Sequence, residues 1–449
     1  MSASTSEPTD VARHVAIEIP KQSYDSLVIP LKEKMETMTT ASCICRVNGK
    51  YLEANGRHFL PQKISVGLFH HGRNNLKPME EHKWRYLYSL LNRKPRLEAT
   101  LDKCVKTLRE LEHKARLCYE GHEKIDVSSD RFVEIMLADA GFLIELFLKF
   151  VVKGLKRRGD YVFNTSGLLY ELRCDMLLLE NQIPYFILQR LFENVPIPDH
   201  CKLSLTELAF RFFRDMIPGD HRLHLTKFGQ EGNHLLDLIR HCFLPTIPRI
   251  KVKQEEVRGL PYKASKLKAA GIKLKKASTE DLLDVKFVKG VLEIPPVEVH
   301  QYTETLLRNL VAFEQSGSGT TKHISSYVLF MKTLLEDEKD VKLMQRKQIL
   351  TNYDVSEKKQ VGTLFHRLWE EMKVMENVDE FYYDGLCEQV KEHKKSSWQP
   401  RLKTASPLQP TRYLQQPLPR IVVVVAVLFV VLVFVGALLS IISFFRHKL

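Results

Sequence analysis

The feature that most restricts this chain lies near its C-terminus. From Ile421 to Phe445 it reads IVVVVAVLFVVLVFVGALLSIISFF, 25 residues without a charge, of which 20 are Val, Ile, Leu or Phe. At about 1.5 Å per residue, a helix of that length crosses a hydrocarbon core of roughly 30 Å with some tilt. Residues of this kind each favour insertion by about 0.3 to 0.6 kcal/mol, so the run supplies roughly 6 to 12 kcal/mol. The expectation is one C-terminal transmembrane helix with the lipid bilayer as its partner. Phe132 to Val152 is a useful contrast. It is also apolar and of spanning length, but it carries Glu134, Asp139, Glu145 and Lys149. Each charge near a bilayer centre costs about 2.5 to 3.5 kcal/mol, so this segment is expected to be a buried core helix.

The N-terminal sequence has no basic stretch leading into an apolar run, as a secretory signal would, and only Arg446, His447, Lys448 and Leu449 follow the apolar run. These features predict a tail anchor with the domain in the cytosol. The small excess of Arg and Lys before the span (Arg401, Lys403, Arg412, Arg420) leans the same way. The plasma membrane is one candidate site. Asn164-Thr165-Ser166 is the one Asn-x-Ser/Thr acceptor in the chain and so offers a built-in topology reporter.

With 449 residues and 44% hydrophobic composition, the chain can bury one large core or two moderate ones. Its eight cysteines are scattered, several of them within apolar helical patterns, which argues against a disulfide framework and for reduced thiols. Cys43 and Cys45 lack a second pair at metal-ligand spacing. The net charge of +13 owes much to Arg249–Lys276, where ten Lys and Arg face only Glu255 and Glu256. Such a run either meets anionic lipid headgroups, at about 1 kcal/mol per basic residue near the surface, or is simply solvated. Nucleic acid is not expected as a partner.

Between Asp102 and Glu120, apolar residues recur at three- and four-residue steps, which specifies an amphipathic helix. Helical patterning continues through most of the domain. The clearest β signal is Leu282 to Val299, where apolar residues flank Lys289-Gly290 and predict a hairpin. Gln315 to Thr321 (QSGSGTT) is a loop without the Gly-Lys-Ser/Thr ending of a phosphate-binding motif.

His70, His71 and Gly72, followed by Glu80, invite a metal reading, although adjacent histidines in extended chain point opposite ways and seldom share an ion. A hydrogen-bonded turn is the alternative. Glu80, Lys83 and Trp84 share a helix, where the first two can pair and Trp84 can anchor the core. Glu180, Asn181 and Gln182 interrupt an apolar run and must find partners or cost several kcal/mol, on the order of a lost buried hydrogen bond each. Pro184 would end or kink a helix just after them and free backbone carbonyls. Asp139 and Glu145 could join the same buried region. Such carboxylates serve either acid–base chemistry or a network that fixes the fold, and the chain offers no nucleophile motif or cofactor loop to favour the first. Arg308, Asn309 and Glu314 sit on a helix, where surface pairing explains them.

Several ordered blocks carry a resemblance: CICRV from Cys43, ISVGLFHHG with MEEHKWRYL between Ile64 and Leu87, DRFVEIMLADAGFLIELF from Asp130, and DMLLLENQIPYFILQRLF from Asp175. They continue with LLDVKFVKGVLEIPPVEV from Leu282, ETLLRNLVAFEQ from Glu304 and the terminal apolar helix. Together they resemble the large plant family catalogued as domain of unknown function 247, over roughly residues 41 to 449. Cys45, Asn48 and Leu68 depart from the residues common there. The resemblance implies a single-pass plant membrane protein with no established catalytic activity. Some members lie at grass self-incompatibility loci as candidate male determinants.

The expected fold is mainly α, α+β only through the small hairpin, with one large helical domain plus the C-terminal transmembrane helix. Its expected divisions are an arm (1–40), the helical domain (41–398), a Pro-rich stalk (399–420), the span (421–445) and a short tail (446–449). The expected function is non-enzymatic recognition of an unknown protein partner, without a cofactor. The alternatives are a cell-surface self-incompatibility determinant and a membrane-bound enzyme using Asp139, Glu145 and Glu180.

Overall fold

The computed structural model describes residues 42–219, 221–250, 260, 262–279, 281–316, 321–352, 358–372, 381–404 and 424–437. By contacts the chain divides into two compact units, Met1–Leu244 with His300–Ser325, and Pro245–Val299 with Ser326–Leu449. The N-terminal arm, part of the Arg249–Lys276 stretch and most of the QSGSGTT loop lie outside the described residues.

The first unit is helical. Its main helices are α1 (Lys77–Leu91), α2 (Leu97–Leu117), α3 (Ser129–Val151), α4 (Tyr185–Asn194), α5 (Leu205–Phe213), α6 (Leu235–Phe243) and α7 (Thr303–Gln315). The expected core helix is α3. The Ser128 side chain caps its N-terminus, and from Ile135 to Lys149 every residue is buried. Helices α1, α2, α4 and α5 all pack on it. Two small features set these approaches. Gly141 lets α1 come close, since a Cβ there would stand 2.4 Å from Leu87 Cδ1. The ring of Phe147 sits 5.1 Å from that of Phe212 and 6.2 Å from that of Phe213, joining α3 to α5. A reciprocal capping box between Ser204 and Glu207 starts α5. The patterned helix expected near 102–120 is α2.

In the second unit the predicted hairpin is present. Strands β2 (Lys286–Val288) and β3 (Val291–Ile294) pair antiparallel. Lys289 (φ 48°) and Gly290 (φ 80°) form a two-residue turn with both residues left-handed, which suits the twist of the strands. Two features were not legible in the hairpin pattern: β1 (Lys273–Lys276) runs parallel to β3, and β4 (Val297–Val299) pairs in parallel with β5 (Leu350–Asn352). Parallel pairs join segments distant in sequence and leave no local turn signal. The helix Asp384–Thr404 continues into the stretch whose composition suggested a stalk.

Residues 424–437 are helical, with every side chain exposed. Among the described residues no helix is long and apolar enough to cross a membrane. The rest of the expected 421–445 span lies outside them.

Replacing Phe147 with Ala removes the ring that ties α3 to α5. We expect a loss of about 3–5 kcal/mol of unfolding free energy, measured by urea denaturation of the full chain.

Candidate functional site

The chain from Met176 to Pro184 is neither helix nor strand, yet every residue in it is buried. Buried irregular backbone must find hydrogen-bond partners away from water, and here side chains supply many of them. Pro184, without an N–H, precedes α4 and stops any helix running through the segment. Asn181 Nδ2 donates to the carbonyls of Ile64 and Asp175 at 3.0 and 2.9 Å, and its Oδ1 accepts from Val66 N at 2.7 Å. Gln182 Nε2 donates to Met176 O and Leu178 O, both at 2.8 Å. From α7, Asn309 accepts from Leu179 N at 2.9 Å and donates to His58 O at 2.8 Å. Asn181 and Gln182 thus claim the carbonyls of Ile64, Asp175, Met176 and Leu178, none of them one that Pro184 itself frees.

A second irregular segment, residues 62–67, lies against this loop and is held the same way. Asp175 accepts from the backbone N–H groups of Gln62, Lys63 and Ile64, the shortest contact being 2.6 Å. Asp139 Oδ2 accepts from Gly67 N at 2.7 Å. Gly67 has φ +81°, and a Cβ there would fall 2.1 Å from Gln182 O and 2.6 Å from Tyr119 Oη, so both conformation and space require glycine. Tyr119, fully buried, donates to Gln182 O at 2.9 Å.

Lys83, also fully buried, lies beneath that segment. Its ammonium is 2.6 Å from both Asp139 Oδ1 and Glu80 Oε1 and 3.1 Å from Ser65 Oγ. The expected Glu80–Lys83 pair exists, but its centre is Asp139 on α3. Trp84 is a correction: it is 42% exposed rather than a core anchor. The helix turns Lys83 inward, and Trp84, the next residue, is carried round toward solvent.

The neighbouring histidines diverge. His70 Nε2 lies 3.3 Å from Glu180 Oε2, outside hydrogen-bonding angles, while Glu180 Oε1 accepts from Val47 N at 2.8 Å. Burial pushes the imidazole of His70 down to about 3, with Arg73 and Arg46 adding to the effect, so it is neutral. His71 instead meets Arg131 at 2.8 Å. Gly72 (φ +83°) makes the turn behind them. Among the described residues no group of three or more His, Cys, Asp or Glu is placed to hold a metal ion.

Glu145 does not join Asp139. It belongs to another cluster with Ser89 (3.0 Å) and Arg93 (2.5 Å), near Lys149, which pairs with Asp160 at 2.8 Å. On α7, Arg308 pairs with Glu304 one turn back. The surface setting expected for this trio is corrected, since Arg308, Asn309 and Glu314 are all buried. Glu314 accepts from the N–H groups of Ile324 and Ser325 at 3.0 and 2.9 Å, capping the helix that begins at His323, with Arg240 Nε 3.4 Å away.

Burial pushes the carboxyls of Asp139, Glu145, Glu180 and Glu314 upward. Asp175, which sequence reasoning missed, is pushed by burial to about 6 against the three N–H donors that favour its ionised form. Its signal was its place five residues before Glu180, at the head of the same apolar run.

A helical unit with a buried loop pinned by side chains, and with its ionisable groups facing inward, is the class of structure these contacts define. The chain belongs to the family described as plant protein of unknown function, which it matches over residues 44–432. It is 28% identical over 376 residues to the UPF0481 protein At3g47200 of Arabidopsis thaliana, covering 79% of this chain and 77% of that one. It is 23% identical over 388 residues to the putative UPF0481 protein At3g02645 of the same plant, covering 66% and 72% respectively. No solved structure matches it.

Because the Asp175 carboxyl rises from 3.8 to about 6 on folding, the native state holds the extra proton between those values. The stability this contributes is present below about pH 4 and lost as pH rises to 6, on the order of 3 kcal/mol for a two-unit shift. Urea midpoints across that window should fall with rising pH in the wild type and fall less in Asp175→Asn.

Proposed function

We propose that this chain is a membrane-anchored, non-enzymatic recognition protein. The observation that carries the reading is the use to which its buried ionisable groups are put. Asp139, Asp175, Glu180 and Glu314 all accept from backbone N–H groups. Ser65 and Lys83, a pairing of residue types that can serve catalysis, are both fully buried. Carboxylates and an ammonium committed in this way hold loops in place and leave the surface as the working part of the molecule.

The anchor is the apolar run 421–445. Its support is the lack of any charge over 25 residues, together with a helical stretch, 424–437, whose Val, Leu and Phe side chains all face outward. An isolated apolar helix exposed on all sides is stable in hydrocarbon rather than in water. The basic stretch adds to this reading, since Lys266, Lys268, Lys273, Lys275 and Lys276 are exposed and suited to anionic headgroups.

Asn164 supplies the test of topology. Its side chain is exposed, so an acceptor in the lumen would be reachable. Translation of the tagged chain with microsomes should give an unglycosylated, protease-accessible domain that stays with the membrane after carbonate extraction. A glycosylated, protected domain would move recognition to the cell surface, the self-incompatibility reading. Recovery in the carbonate-soluble fraction would remove the anchor altogether.

A further inference from the structure

Two of the eight cysteines meet across a short backbone pairing in the first unit. Ile44 and Tyr119 form a parallel bridge. Cys43 N and Ile44 N both donate to Cys118 O, at 3.0 and 2.8 Å, and Glu120 N donates to Ile44 O at 3.0 Å. Backbones paired this way lie about 4.8 Å apart, within the Cα separation of roughly 4.4–6.8 Å that a disulfide spans. Cys43 and Cys118 each stand one place before a bridge partner, and equivalent positions of a parallel pair point to the same face. The two side chains therefore share one face, where Cys118 Sγ donates to Lys114 O at 3.4 Å. Cys45 is set apart and donates to Ser42 O at 3.6 Å.

Both residues also border a cavity. Cys43 and Cys118 line a cavity of about 900 Å³ together with His113, Lys114, Phe186 and Gln230. Cys118 is half-buried and Cys43 nearly covered.

We propose that Cys43 and Cys118 form an oxidisable dithiol, a site at which a low-molecular-weight disulfide is reduced while the segment at Cys43 becomes covalently tied to the C-terminal end of α2. The Cys118 thiolate attacks one sulfur of the small disulfide. That S–S bond breaks, a mixed disulfide forms, and one thiolate leaves. Cys43 then gives up its proton and its sulfur attacks the Cys118 sulfur, expelling the second thiolate. Two electrons pass from the protein thiols to the reagent, and the two protons end on the two released small thiols.

The order of attack follows from the surroundings. The neighbouring Cys43 and, less strongly, Lys114 hold the Cys118 thiol below its ordinary value against the effect of burial, whereas Cys43 is pushed well up by Cys118 and by burial. In a reducing compartment the pair stays open, and in an oxidising one it closes.

The test uses the full chain in detergent, incubated with oxidised glutathione and then mapped by mass spectrometry without reduction. The expected product is a Cys43–Cys118 linked peptide that dithiothreitol removes, with the remaining cysteines alkylating as free thiols after denaturation. Cys43→Ser should trap Cys118 as a lasting mixed disulfide. The proposal is overturned if the wild-type chain gives no linked peptide, whether Cys118 stays unmodified, stops at the mixed disulfide or links to Cys45. The wild-type result decides the matter even if a variant fails to fold.

Discussion

The first unit depends on a buried stretch of chain that has no regular secondary structure. Nine residues from Met176 to Pro184 run through the interior beside a second irregular segment, 62–67. Helices and strands satisfy their own backbone, but such segments cannot, and each unpartnered N–H or C=O would cost on the order of 1–3 kcal/mol. The sequence meets this demand with Asp139 from α3, Asn309 from α7, Asn181 and Gln182 from the loop itself, and Asp175 from the end of the short helix Leu168–Asp175 just before it. Removing any one of them strands a donor or acceptor that water cannot reach. The apolar helices around the loop provide the burial, and the polar side chains decide which conformation is buried.

This division of labour explains what could be read in advance. Helix α3 was legible because four charges inside an apolar run exclude a membrane span, and the hairpin was legible because Lys289-Gly290 fits only a tight turn. The need of Glu180, Asn181 and Gln182 for partners was equally clear from their setting. Their actual partners were not, since Ile64, Val66 and Met176 contribute only backbone atoms, which carry no residue signature. Trp84 was misassigned because Lys83 took the inward position beside it. A buried lysine is legible only once the carboxylate waiting for it, Asp139, is known to lie on the facing helix. Cys43 was weighed only beside Cys45, and Cys118 was one of the scattered thiols, because the backbone bridge that brings them together is long-range.

The same network bears on function. Clustered buried carboxylates are common in active sites, but there at least one must meet a substrate. Here they meet amides, an ammonium and a guanidinium of the same chain. These groups are spent on holding the chain's own loops in place.

Native-state hydrogen exchange tests the central claim most directly. The amides of Val66, Gly67 and Leu179 lie in loops, where exchange is ordinarily fast, yet their acceptors are buried side chains. The account predicts that they exchange only through the same cooperative opening that exposes the core of α3, with equal protection free energies and equal denaturant dependence. Exchange of these three amides through a local opening well below that of α3 would contradict it, and would mean that the side-chain network follows the fold rather than fixing it.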